Sequence, residues 1–283
     1  MAVSLTTRFC SNIGLRLPNA MFMYNHLKVN VFMVEYRGYG DSDDAKPNEA
    51  GLKLDAEAAL RFIAGHGQVD PERIFCFGRS LGGAVAFHLA QYAEQHSLPL
   101  AGLLVENTFL SVSHMVDQVM PFLTPIKPLV LKIRWNNYEI APKIRTPILY
   151  LAGEMDELVP HSQMLELYHM SKESSTCARI HVIKGGTHNE SWAMGGKLYW
   201  QKIQDFLLEV TALGGAESST PTALRNVKTM DVDNIRSVGM GNGLLPTSPD
   251  MSAIPTVPSN FIGIAREATN VAMSQTNDKK KDK

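Results

Sequence analysis

Short, nearly continuous apolar runs alternate along this chain with longer stretches whose apolar residues recur every three or four positions. The first pattern predicts strands at Val29–Glu35, Arg73–Phe77, Gly102–Val105, Pro147–Ala152 and Arg179–Ile183. The second predicts helices at Leu15–Leu27, Gly51–Ala64, Leu81–Gln95, Ser162–Ser171 and Lys197–Val210. Strands such as Val29-Asn-Val-Phe-Met-Val34 have almost no polar side, as expected where helices cover both faces of a sheet. Repeated strand–helix order then predicts a mostly parallel sheet flanked by helices. The fold class is α/β.

The alternation breaks between Asn107 and Thr146, a stretch rich in proline and bulky apolar residues such as Met115, Met120, Phe122 and Trp135. An insertion of this length between core strands reads as a lid or cap, or else as two further core helices, and the pattern leaves both open. From about Leu213 the composition shifts to Gly, Ser, Thr, Pro and Asn, and the chain ends Lys279-Lys-Lys-Asp-Lys283. Such a segment buries too little apolar surface to offset its ordering entropy. The expected organisation is one domain over residues 1–211 and a disordered tail over 212–283, with Phe261–Ala272 able to form a short helix on a partner.

Composition adds mainly exclusions. A net charge of −1 over 283 residues gives no electrostatic footprint for nucleic acid. The three cysteines, Cys10, Cys76 and Cys177, form no C-x-x-C pair, so neither a disulfide framework nor a structural zinc site is expected. No apolar run approaches the ~20 residues that span a bilayer. Residues Met1–Asn12 do not read as a secretory signal, so a cytoplasmic location is expected for the chain as given.

The strongest chemical signal is Gly78-Arg-Ser80-Leu-Gly82, set between a predicted strand and a predicted helix. With Gly at about 7% of residues, two glycines flank a given serine in this way by chance about 0.5% of the time. A serine nucleophile needs this frame, because it sits on a strained strand-to-helix turn and glycines let the two elements approach. Leu81, first in the helix, supplies the natural backbone N–H for an oxyanion.

A serine hydroxyl is a weak nucleophile until a base takes its proton, and the base needs an acid to orient it. In strand–turn–helix hydrolases the order along the chain is Ser, acid, His. Asp156 follows the strand ending at Ala152 and is the expected acid, with Glu154 and Glu157 as nearby rivals. His188 lies in the Gly-rich loop Lys184-Gly-Gly-Thr-His188 after the last strand and is the expected base. Of the other histidines, His181 falls in a strand and His88 and His169 fall in helices, where packing or surface roles are expected. Asp41, Asp43 and Asp44 read as a solvated loop after the turn Arg37-Gly-Tyr-Gly-Asp-Ser42. No metal and no cofactor are expected.

Taken together, these segments resemble the α/β-hydrolase superfamily. Within it they are similar to the branch that holds α/β-hydrolase domain-containing protein 13 and the fungal bud-emergence hydrolases. Asn12-Ile-Gly-Leu-Arg-Leu-Pro-Asn19, Val34-Glu-Tyr-Arg-Gly-Tyr-Gly-Asp-Ser42, Phe77-Gly-Arg-Ser-Leu-Gly-Gly-Ala-Val85, Val105-Glu-Asn-Thr-Phe-Leu110 and Gly186-Thr-His-Asn189 carry the resemblance. It implies a serine hydrolase acting on carboxylic esters or thioesters, with a small-molecule or lipidated-protein (palmitoyl) acyl substrate. A serine aminopeptidase on the same fold is an alternative.

The departures from that pattern lie near the N-terminus. The family carries a His-Gly-Asn-x-Gly loop that provides the second oxyanion N–H, and here the corresponding positions read Thr7-Arg-Phe-Cys-Ser11. Phe9 N–H takes the donor position if Ser4–Thr6 forms the preceding strand. The first strands of the family fold, and the membrane helix that usually anchors its members, have no counterpart in this sequence. The expectation is an N-terminally shortened or alternatively started form, membrane-associated only with an upstream anchor. A hydrolase-like binding protein lacking a complete oxyanion hole is therefore a second alternative.

Overall fold

The computed structural model describes residues 3–7, 16–42, 44–119 and 133–217. Its strands are β1 (Val3–Thr7), β2 (Asn30–Val34), β3 (Ile74–Arg79), β4 (Gly102–Glu106), β5 (Ile148–Gly153) and β6 (Ala178–Ile183). Its helices are α1 (Leu17–Phe22), α2 (Glu49–Ala64), α3 (Leu81–Gln95), α4 (Val112–Val119), α5 (Asn137–Ile140), α6 (His161–Ser171), α7 (Ser191–Met194) and α8 (Gly196–Glu217). The strands form one sheet in the order β2-β1-β3-β4-β5-β6, every pair parallel.

The period-two alternation of β3, β4 and β5 sorts their side chains between two cores. Ile74, Cys76, Leu103, Val105, Ile148, Tyr150 and Ala152 face a core closed by α2, α3 and α6. Phe75, Phe77, Leu104, Leu149 and Leu151 face the opposite core, closed by α1 and by Tyr199, Trp200, Ile203 and Phe206 of α8. Every residue of β3, β4 and β5 is buried, which explains why these strands read as unbroken apolar runs. Helix α3 runs down the middle of the first core, and Val85, Phe87 and Leu89 are fully buried there.

Element types follow the pattern, and differences fall at the ends, where caps and turns decide. Asn48 starts α2 earlier than the apolar periodicity does, because its side chain accepts the Gly51 N–H at 2.9 Å. The helix predicted over Leu15–Leu27 is α-helical only over Leu17–Phe22, then winds into a π turn over Met23–Leu27 that Lys28 closes in the left-handed region. Helix α8 runs past the predicted end at Val210 to Glu217. Strand β1 occupies the position expected of Ser4–Thr6.

Both ends of the 107–146 segment are tied to the body. Val112 N–H donates to Arg134 O at 3.0 Å, which closes the neck of the segment. Glu49 Oε2 accepts the Arg134 N–H at 2.7 Å, and Trp135 is buried in the first core with Lys53 over its ring. The middle of the segment, residues 120–132, and the predicted tail beyond 217 lie outside the described residues. Among the described residues, no helix is long and apolar enough to cross a membrane.

Candidate active site

Strand β3 ends at Arg79 and α3 begins at Leu81, so Ser80 alone makes the turn between them. Its backbone sits at φ +54 and ψ −123, a region that side chains rarely adopt and that costs about 1–3 kcal/mol. Three backbone bonds hold it there: Ser80 N–H donates to Glu106 O at 2.9 Å, while Ser80 O accepts the Gly83 N–H at 2.9 Å and the Thr108 hydroxyl at 2.7 Å. Two glycines around the turn, Gly78 and Gly83, are a steric requirement. A Cβ on Gly78 would lie 2.3 Å from Gly82 O, and one on Gly83 would lie 2.5 Å from Thr108 Cβ. Leu81 follows Ser80 as the first residue of α3, so its N–H lies at the positive end of the helix dipole.

The expected acid and base, Asp156 and His188, lie in the loops after β5 and β6. His188 Nδ1 is 2.9 Å from Asp156 Oδ2 and 3.1 Å from Asp156 Oδ1, and both side chains are buried. Asp156 Oδ1 also accepts the Leu158 and Val159 N–H groups at 2.9 and 2.8 Å, so the carboxylate is fixed by its own loop before it meets the imidazole. The rival carboxylates have other work: Glu154 accepts the Gly185 N–H at 2.9 Å and Glu157 accepts the His188 N–H at 3.1 Å. All three acidic residues thus hold the histidine loop, and only Asp156 holds the ring. His88 bonds Glu57 between α2 and α3 at 2.8 Å, and His181 and His169 lie in β6 and α6, as their positions in the sequence implied. Phe9 lies outside the described residues.

Beneath these loops lies a polar network absent from the sequence-based expectations. Arg79 donates through Nε and Nη2 to Glu106 Oε2 at 2.9 and 2.7 Å, with side chains 4% and 0% exposed. Tyr199 donates its hydroxyl to the same oxygen at 3.1 Å. Burial pulls the Arg79 pKa down, but the charge and hydrogen bond of Glu106, together with Tyr199 and Glu190, jointly outweigh it and the net direction is upward. Burial, with the Glu106 charge beside it, pushes the Tyr199 phenol well up, so it stays a neutral donor. Arg79 also donates through Nη1 to Asn189 O at 3.2 Å, joining the residue before Ser80 to the residue after His188. One signal was available in the sequence: Arg79 and Glu106 both end fully buried strands, where a charge must be paired. Among the described residues, no group of three or more His, Cys, Asp or Glu side chains could hold a metal ion.

Residues 21–213 match the model of the prolyl oligopeptidase family. The chain belongs to this α/β-hydrolase family. It is 37% identical over 199 residues to protein bem46 of Schizosaccharomyces pombe, an alignment covering 70% of this chain and 64% of that protein. It is 34% identical over 207 residues to the α/β hydrolase domain-containing protein WAV2 of Arabidopsis thaliana, covering 69% and 66%. This α/β-hydrolase thus spans just under two thirds of the length of those relatives. Among solved structures it is similar to an esterase of Pyrococcus furiosus, with a TM-score of 0.59 at 15% identity over 74% of this chain and 83% of that one. It is also similar to a bacterial heroin esterase, with a TM-score of 0.56 at 18% identity over 75% and 74%. Likeness at that identity concerns the fold.

Proposed function

We propose that this α/β-hydrolase is a serine hydrolase that cleaves carboxylic esters or thioesters, with Ser80 as nucleophile, His188 as base and Asp156 as orienting acid. The observation that carries the reading is the Asp156–His188 contact at 2.9 Å, in loops tied through Asn189 to the strained turn that presents Ser80. In this mechanism Ser80 Oγ attacks the acyl carbonyl while His188 Nε2 takes its proton. Asp156 keeps the remaining proton on Nδ1 and stabilises the imidazolium. The Leu81 N–H bonds the developing oxyanion. The tetrahedral adduct collapses as His188 returns the proton to the leaving alcohol or thiol. Water, deprotonated by His188, then attacks the acyl-serine and releases the acid. No cofactor enters this sequence.

The apolar residues of the 107–146 segment favour an acyl chain, which makes lipidated proteins the narrower substrate class. The prolyl oligopeptidase match favours a second reading, in which the acyl group is that of a peptide amide. A panel of acyl esters, acyl thioesters and peptide amides separates the two by relative kcat/KM. The nucleophile is tested with a fluorophosphonate probe. Wild-type protein should label and Ser80→Ala should not. Labelling that survives Ser80→Ala removes Ser80 from the mechanism. Asp156→Asn should cost on the order of 10⁴ in kcat through the wrong imidazole tautomer.

A further inference from the structure

We propose that Asn107 is a positioning residue that holds the loops bearing Ser80, Asp156 and His188 in register, a role that rests on the assignment of those three as the catalytic set. Asn107 directly follows β4, the strand between the one that ends at Ser80 and the one that leads to Asp156. It is buried, with its backbone in the left-handed region at φ +48. That conformation turns its side chain away from the line of its own strand. Each of its polar side-chain atoms then reaches a different loop. Asn107 Oδ1 accepts the Gly153 N–H at 2.7 Å, at the root of the Asp156 loop. Asn107 Nδ2 donates to Thr187 O, His188 O and Ser191 Oγ, each at 3.1 Å, in the loop of the base. Its own N–H donates to Leu151 O at 3.1 Å, while the preceding carbonyl, Glu106 O, takes the Ser80 N–H at 2.9 Å.

The residue type is narrowly determined. The site needs an acceptor toward Gly153 and donors toward two carbonyls within one short, planar group, in a backbone conformation that Asn tolerates better than most residues. Asp supplies the acceptor but sets a carboxylate against Thr187 O and His188 O. Gly keeps the backbone and supplies neither. A buried Asn that only fills space would spend its bonds on neighbouring turns of its own element; this one spends them on the acid and base loops.

The test uses the full chain carrying Asn107→Gly, Asn107→Asp or Ser171→Ala, with p-nitrophenyl acetate turnover and fluorophosphonate labelling rates normalised to folded protein by circular dichroism. Misplacing a catalytic group by about 1 Å costs on the order of 100-fold. Both Asn107 variants should therefore lose about 30- to 100-fold in kcat and in labelling rate, with KM changed less than about threefold. A fall in kcat at nearly constant KM, at equal folded content, is a split that simple loss of folded protein does not produce. Ser171→Ala, which removes a buried hydrogen bond to the Tyr150 hydroxyl at the C-terminal end of α6 and leaves the Asn107 contacts in place, should stay within about threefold of wild type. A folded Asn107 variant with near-wild-type kcat overturns the proposal, as does a Ser171→Ala loss equal to that of Asn107→Gly. Ser80→Ala is carried in parallel: labelling that persists there refutes the assignment of the nucleophile, whatever the Asn107 variants do.

Discussion

Replacing Arg79 by methionine removes one half of a charge pair that has almost no access to water. Arg79 is 4% and Glu106 0% exposed in their side chains, and the carboxylate would keep only the Tyr199 hydroxyl as a partner. Glu106 Oε1 has no hydrogen-bond partner among the described residues even in the intact pair, so nothing nearby can take up the loss. Breaking a buried pair from one side costs about 3–5 kcal/mol. For a domain of this size, ~2–4 °C in Tm accompanies each kcal/mol, so the variant should melt roughly 6–20 °C below wild type. The double variant Arg79→Met/Glu106→Leu removes both charges and fills the same space with apolar atoms. It should recover most of that loss, held back by about 1–3 kcal/mol for the Tyr199 hydroxyl that loses Glu106 as its acceptor. Urea titrations of the four proteins give the coupling energy directly, provided the m-values agree. A single variant within ~1 kcal/mol of wild type would refute the reasoning, because the pair would then be solvated or replaceable. So would a double variant as unstable as the two single losses summed.

Two further outcomes are expected. Gly78→Ala should destabilise by at least about 1–3 kcal/mol and abolish probe labelling, because the added carbon meets Gly82 O at 2.3 Å and Gly82 C at 2.6 Å, both backbone atoms that cannot step aside; urea melts and fluorophosphonate labelling check this together. Burial holds the His88 imidazole below its usual range against the opposing pull of Glu57. The unfolded chain therefore takes up this proton first as pH falls, and stability drops through the interval between the unfolded and the depressed folded value. His88→Gln keeps a donor for Glu57 but cannot ionise, so its Tm should decline less steeply than wild type from about pH 8 to about pH 5.

Much of this architecture could be read from the chain because its strands are buried on both faces. Leu103, Leu104 and Val105 leave little room for another interpretation, and Gly78 and Gly82 bracket a serine in a way that a strand–helix turn explains. Asp156 could be singled out over Glu154 and Glu157 by its position in the loop; that all three carboxylates reach the histidine loop, and that Asp156 alone meets the ring, depends on side-chain direction, which spacing does not carry. Arg79, Glu106, Asn107 and Tyr199 escaped notice as a group because a buried polar network has no periodicity. Its members lie 27 and 93 residues apart in the bonds that Arg79 and Tyr199 make to Glu106, and no spacing rule joins such positions.

The place of β1 in the sheet has a consequence for how the chain comes off the ribosome. Val3–Thr7 pairs on one side with β2 and on the other with β3, and both of those strands follow it in the sequence. Its slot does not exist until synthesis has passed Arg79 and that stretch has cleared the exit tunnel. Until then this strand has no β3 beside it, and the hydrogen-bonding edge that β3 will cover is a template for pairing with other nascent chains. Closing the slot also requires an unusually long-range contact, which slows folding. In the cell, the order of translation and the order of assembly thus run against each other at this strand, and a holding chaperone has most to contribute there.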